Sequence, residues 1–285
     1  MNTSADKSGR AQSVKGVTKE SGFVSFQSVY EEALNAIDQA TTVDAHNAVL
    51  NQYKDVITLK DSLYAPVIMS PLYRFICNRN GVYFADGYAH KLVQGSKIVV
   101  TKLDNAEKLN AISNTDNLND EIFRIFDLKA ESITSAGRTN ANCGTYLEAM
   151  YYDNPSGCKN DRRVYINAYT EHIVSGDYYT PYVSSVVWGT LRTGTFCNWK
   201  DYSTVLSARN CSYTVTSTVR STETLGTNAD SVTGTGYSLT VFAGTLGSPA
   251  LWQVPLAIPT IQFTGIHAEA NSQGVGSNWA VIHCY

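Results

Sequence analysis

Apolar positions recur at two different spacings along this chain, and the spacing changes near residue 82. Before that point the period is helical. Ser28-x-x-Glu31 has the form of a capping box, in which the hydroxyl accepts from an early helical N–H and the carboxylate reaches back, and Val29, Ala33 and Ile37 follow on one face. This predicts a helix over 28–40. Thr41 and Thr42 interrupt it, and Ala45, Val49 and Tyr53 then recur four apart, predicting a second helix over 43–54 and an α-hairpin. Ser70-Pro71 offers a cap followed by proline at the first helical position, so LYRFIC is expected to be helical and to stop before Asn80-Gly81.

From Val82 the runs VYFAD, YAHKLV and KIVVT are short, apolar and aromatic, and Asp86-Gly87 between the first two suits a tight hairpin whose central residues need positive φ. Three strands are expected between 82 and 101. Asp104 with Glu107 predicts a short helix to Ile112, and EIFRIFDL reads as a strand over 121–128. Residues 129–162, with TNANCG and DNPSGCKND, read as a loop-rich bridge. Beyond it RRVYINAYTEHIV, YVSSVVWGTLRT, DYSTVLSA, SYTVTSTVR, YSLTVFAG, TIQFTGIHAEA and NWAVIHCY predict strands, enough for a sandwich or barrel. No fixed-period repeat supports a solenoid or propeller.

Composition sharpens this picture. Residues 203–285 carry only five charged side chains (Arg209, Arg220, Glu223, Asp230, Glu269), whereas Thr, Ser, Val, Tyr and Gly recur, which is the usage of strands rather than solvated helices. The net charge of -3, with 22 basic and 25 acidic residues scattered, provides no basic face and argues against nucleic acid as a partner. No run of about 18 apolar residues is present, so no helical membrane span is expected. Residues 1–22 are small and polar without an apolar core, and read as a flexible leader rather than a signal peptide.

Six cysteines, Cys77, Cys143, Cys158, Cys197, Cys211 and Cys284, suggest disulfides and an oxidising compartment. The spacings bring forward Cys143 with Cys158 and Cys197 with Cys211, leaving Cys77 with Cys284, but the fifteen connectivities that six cysteines allow stay open. If they pair, export is expected, with a signal peptide or lipid anchor already removed upstream. No C-x-x-C or paired Cys/His spacing calls for a structural metal, and no metal or cofactor is expected.

The catalytic signatures of serine-hydrolase elbows, zinc proteases, P-loops and dinucleotide folds are absent from the sequence. His267 and Glu269 are an i,i+2 pair on one face of an expected strand, with His283 in the next, and could assemble a hydrolytic site. His283 and Cys284 are neighbours on a strand and point to opposite faces, which excludes them as a Cys–His couple. Eighteen tyrosines and four tryptophans are the remaining surplus. Tyr178, Tyr179, Tyr182 and Trp199 fall at expected loop edges, where amphipathic rings supply contact area at low entropic cost, and are the candidate ligand-binding residues.

The segment YAPVIMSPLYRFICNRNGVYFADGYAHKLV resembles a pattern in uncharacterised secreted or lipid-anchored envelope proteins of Bacteroidetes: a short apolar helix, then Asn-x-x-Gly opening a hairpin, here Asn78, Gly81, Gly87, Tyr88 and Lys91. The ending HAEANSQGVGSNWAVIHC is similar to the close of such proteins, matched by His267, Gly274, Trp279 and Cys284. The resemblance covers about 50 residues. It implies a place at the cell envelope, a helical N-terminal part and a β-rich C-terminal part, and carries over no functional residue; no signal or lipobox is visible here.

The expected fold is α+β: a leader over 1–22, an α-hairpin with short β-hairpins over 23–130, a bridge over 131–162 and an antiparallel β-sandwich over 163–285. The expected function is that of an exported, non-enzymatic surface or binding protein that recognises a glycan or protein through aromatic loops. A hydrolase using the His/Glu residues and a structural subunit of a cell-surface assembly are the alternatives.

Overall fold

The computed structural model describes residues 22–93, 97–127, 143, 146–153, 161–176, 178–192, 196–217, 220–225, 232–245, 250–251 and 261–284. The expected leader lies outside the described residues except for Gly22, as does most of the expected bridge, Cys158 included. The class is α+β, with far more strand than helix. The described residues divide into two compact units, one holding 22–59, 65–93 and 99–124, the other 60–64, 97–98 and 125–284.

In the first unit α1 (Phe26–Gln39) starts two residues earlier than expected. Ser25, not Ser28, is the N-cap, its Oγ accepting from the Ser28 N–H at 3.2 Å, while Glu31 accepts from Gln27 Nε2 at 2.9 Å. The earlier start adds Phe26 to the buried face, and Tyr30 and Leu34 join Val29, Ala33 and Ile37 there, a wider stripe than the sequence suggested. In α2 (Val43–Gln52), capped by Thr42, the expected stripe holds only at its end: Tyr53, the C-cap, is buried, whereas Ala45 is exposed, Val49 half-buried, and His46 is the buried residue within the helix. The α3 helix (Pro71–Ile76) forms as Ser70-Pro71 predicts, with Ser70 Oγ accepting from Tyr73 N–H at 3.2 Å.

Asn78 Oδ1 then accepts from the N–H groups of Asn80 (2.9 Å) and Val82 (3.0 Å), and Gly81 turns the chain at φ 75°. This opens the hairpin of β3 (Val82–Ala85) and β4 (Tyr88–Val93), closed by Asp86 and Gly87 at φ 49° and 80°. The small sheet continues with β5 (Lys97–Lys102) and β6 (Arg124–Asp127). The expected helix near Asp104 is a 3₁₀ segment, Leu103–Ala111, with no side-chain cap; Lys91 Nζ donates to the Leu109 carbonyl at 2.9 Å near its end. Val82, Ala89, Val93, Val99, Leu109, Ile112 and Phe123 form the core beneath it.

The second unit holds two larger sheets. β8 (Asp161–Ser175) and β9 (Tyr178–Arg192) pair in register from Asp161↔Arg192 to Ser175↔Tyr178. β7 (Tyr146–Asp153) lies on the free side of β8, a strand where a loop-rich bridge was expected. The other edge of β9 is shared end to end by β10 (Trp199–Asp201), β14 (Ser238–Thr245) and β15 (Ala250–Leu251). Leu63, of the β2 strand (Leu63–Pro66), pairs parallel with Trp199.

The second sheet runs β12 (Arg220–Leu225), β11 (Thr204–Ser217), β16 (Ile261–Ser272) and β17 (Ala280–Cys284), with β13 (Val232–Gly236) also on β11. Two expected strands, 201–208 and 212–220, are largely one strand, β11, whose register shifts between Arg209 and Ser212, where Asn210 has φ 52°.

One apolar cluster draws on both sheets: Val164, Ile166, Ala168, Val183 and Val187 from the first, and Leu206, Tyr213, Val215, Phe263, Ile266 and Ile282 among those from the second. Each large member of this kind contributes roughly 1.5–3 kcal/mol by burial.

Candidate functional site

Strand alternation sorts the larger sheet into two faces. Val164, Ile166 and Ala168 of β8 enter the apolar cluster, so Asp161, Arg163, Tyr165 and Asn167 face the other way, opposite Arg192, Thr190, Trp188 and Val186 of β9. On β7, Tyr152 lies opposite Arg163 on that same face.

These side chains join in a continuous array. The Arg163 guanidinium lies 3.7 Å from the ring centre of Trp199, and that of Arg192 lies 5.0 Å from it. Tyr152 meets Trp199 edge-on at 5.8 Å. Two cations over one ring are compatible because Asp161, fully buried, is bound to Arg192 through Nε (3.2 Å) and Nη2, and accepts from Tyr152 Oη at 3.2 Å. Arg163 Nη1 donates to Tyr165 Oη at 3.4 Å, and the Tyr165 ring stacks on Trp188 with centroids 5.1 Å apart and 6° between planes. Tyr165 and Trp188 are half-buried, whereas Tyr169, Ser184 and Val186 further along the face are buried.

The four aromatic candidates from the sequence do not gather in one patch. Tyr178 is 42% exposed at one end of β9, and Tyr182, half-buried, shares its face. Tyr179 is on the opposite face, buried, with its ring edge-on to His172 at 5.6 Å. Trp199 pairs with Arg192 at the far end of β9, and only 4% of it reaches solvent because Arg163, Arg192 and Tyr152 cover the ring. Trp188 stood among the surplus aromatics of the sequence without being a chosen candidate, and Arg163, Tyr165 and Arg192 were not singled out. The alternation of RRVYINAYTEHIV and YVSSVVWGTLRT put these residues on one face of each strand, but that the two faces are the same became readable only with the β8–β9 register.

On the smaller sheet His267 and His283 are directly opposite on β16 and β17, with Nδ1 atoms 3.2 Å apart. His267 Nε2 lies 3.2 Å from Glu269 Oε1. Glu269 also accepts from Asn210 Nδ2 at 3.0 Å and Arg209 Nε at 2.7 Å. Those bonds, Asn210's foremost, with Arg209 and His267 adding to it, hold its carboxyl at about 2. The Arg209 guanidinium in turn lies 3.9 Å from the ring centre of Trp279. The His/Glu residues expected to assemble in space are thus brought together, with Arg209 and Asn210 as unforeseen members. Among the described residues no three His, Cys, Asp or Glu side chains form a group that could hold a metal ion.

The cysteines correct the pairings that spacing brought forward. Cys143 is bonded to Cys284, 141 residues away. Cys77 is a buried thiol, Cys211 a half-buried one, and Cys197 is disulfide-bonded. The reason is topological: Cys284 lies opposite Ile266, and the Cys143 N–H donates to the Phe263 carbonyl at 2.8 Å, so β16 brings the two sulfurs together. Burial raises both free thiols above the usual cysteine range.

No helix among the described residues is long and apolar enough to cross a membrane. No protein family matches the chain. No curated protein matches it either. Among solved structures, a DUF4848-family protein from Bacteroides thetaiotaomicron is similar at a TM-score of 0.24 and 11% identity, over 96% of this chain and 89% of that one. A TM-score that low assigns neither fold nor family.

Proposed function

We propose that this chain is an exported, non-enzymatic binding protein of the cell envelope, whose two larger sheets stack as a β-sandwich and which takes a glycan on the outward face of the β7–β10 sheet. The observation that carries the reading is the half-exposed Tyr165–Trp188 stack continued by Arg163. Aromatic rings offer flat apolar contact to the C–H face of a sugar, and a guanidinium beside them offers paired donors to hydroxyls or a carboxylate. The recognition elements are therefore strand residues rather than the aromatic loops first expected. The cluster fed by both sheets supports the layered reading, and the Cys143–Cys284 disulfide supports an oxidising compartment.

The test is a glycan array that includes uronate-bearing chains, read with the native chain and with Trp188→Ala. Binding that weakens at least tenfold in the variant, with an unchanged circular dichroism spectrum, supports the proposal. Absence of any glycan ligand, or equal binding by the variant, refutes it; a protein ligand captured through the same face would replace glycan by protein.

A second reading as a hydrolase has in its favour the assembled His267–Glu269–His283 array. A carboxylate near 2 is a poor general acid or base at neutral pH, so Glu269 would only orient His267 and the histidines would move the proton. Turnover of chromogenic esters or glycosides that is lost in His283→Ala would favour it.

A further inference from the structure

We propose that His267 and His283 form a surface site for one late first-row transition-metal ion, Zn²⁺ or Cu²⁺ in class, bound through their two Nδ1 atoms. The Glu269 carboxylate, held by Arg209 Nε at 2.7 Å and Asn210 Nδ2 at 3.0 Å, faces His267 Nε2 at 3.2 Å, so it accepts there and places that proton on Nε2. The lone pair of His267 Nδ1 is then directed at His283 Nδ1, 3.2 Å away. Two imidazole nitrogens bound at about 2.0–2.1 Å to a tetrahedral ion are separated by about 3.3 Å, so little movement is needed for an ion to replace the shared hydrogen. His283 would then carry its proton on Nε2 instead.

The surrounding arrangement fits the same use. A metal-binding histidine usually donates its second ring N–H to a carboxylate, which fixes the ring and raises its basicity, and Glu269 stands in that position. The two histidines are cross-strand partners on an antiparallel pair, so the backbone holds their Cβ atoms at a fixed separation. His283 is exposed and His267 half-buried, which leaves the remaining coordination positions to water or an external ligand oxygen. Two imidazoles and no thiolate favour Cu²⁺ over Zn²⁺ by intrinsic affinity, and both over Mg²⁺ or Ca²⁺.

Isothermal titration of the full oxidised chain with ZnCl₂ and with CuCl₂, in a buffer that does not chelate, tests the proposal. One ion per chain is expected, with affinity falling at least tenfold in His267→Ala and in His283→Gln, and roughly 10–100-fold in Glu269→Gln, which alters no ligand atom. His283 is exposed, so His283→Gln should keep the native circular dichroism spectrum and separate lost binding from lost folding. The electron paramagnetic resonance spectrum of the Cu²⁺ form should show two nitrogen ligands. The proposal is overturned if no ion binds at millimolar metal, or if binding survives in both histidine variants and so belongs to another site such as the Cys211 thiol.

Discussion

Removing the Cys143–Cys284 disulfide by replacing both residues with serine should weaken the second unit far more than an ordinary surface change. The closed loop spans 141 residues, and the chain-entropy treatment assigns a loop of that length about 5 kcal/mol of unfolded-state restriction at 25 °C. Folded domains are commonly stable by 5–15 kcal/mol in total, so the loss would be a large fraction of the whole. Serine also takes two partly buried sulfurs away from the cluster containing Phe263, Ile266 and Ile282. The assay is guanidinium unfolding followed by tryptophan fluorescence. All four tryptophans, at 188, 199, 252 and 279, lie beyond residue 124, so the signal reports on the second unit. With a slope of roughly 4–5 kcal/mol per molar for a unit of this size, the midpoint should fall by about 1 M. The double variant leaves the disulfide of Cys197 intact, which simple reduction would not. A shift under about 0.2 M would refute the reasoning, because it would mean the covalent link restricts an unfolded chain that is already compact.

Further outcomes follow from individual groups. His90, fully buried and stacked on Tyr83, titrates at about 4 because burial disfavours its charged form. The unfolded chain then binds its proton from about pH 6.5 downward, so stability is steady above that pH and falls by roughly 3 kcal/mol down to pH 4. Thermal melts of His90→Phe should lose that part of the pH dependence. Arg192→Leu takes the cation away from the buried Asp161 carboxylate and should cost about 3–5 kcal/mol by denaturant unfolding, with part recovered when Asp161→Asn is added. Gly274 has φ 87°, and a Cβ there would sit 1.4 Å from Arg162 Nη1, so Gly274→Ala should cost about 1–2 kcal/mol on the same measurement. Iodoacetamide should leave Cys77 unlabelled until the first unit unfolds, as mass spectrometry of quenched samples would show.

Punctuation carried much of the legible fold. Ser70-Pro71 and Asp86-Gly87 act through their own backbone geometry, and the elements they mark appear where expected. Ser25 and Ser28 lie one turn apart, with hydroxyls 3.0 Å from each other, and only tertiary contact decides which one caps: the Phe26 N–H donates to the Cys77 carbonyl at 2.7 Å. Arg209-Asn210 looks like a turn, and Asn210 does adopt positive φ, but the neighbouring strands carry β11 straight through it as a bulge.

The alternation in YLEAMYYD was readable, yet its glycine- and asparagine-rich flank concealed β7. For the candidate sites, His267 with Glu269 was legible as an i,i+2 pair. Arg209 and the exact partner of His267 depend on register, which no local pattern encodes. Trp199 misled for a simple reason: an aromatic residue beside a strand edge reads as exposed until two distant arginines are known to cover it.

Amide hydrogen exchange on the full chain, with and without a glycan at saturating concentration, tests the account most directly. The outward face of the larger sheet should gain protection on ligand addition in peptides covering 161–166 and 186–192, leaving 261–284 unchanged. Protection confined to 261–284, or no change anywhere with a glycan known to bind, would contradict it.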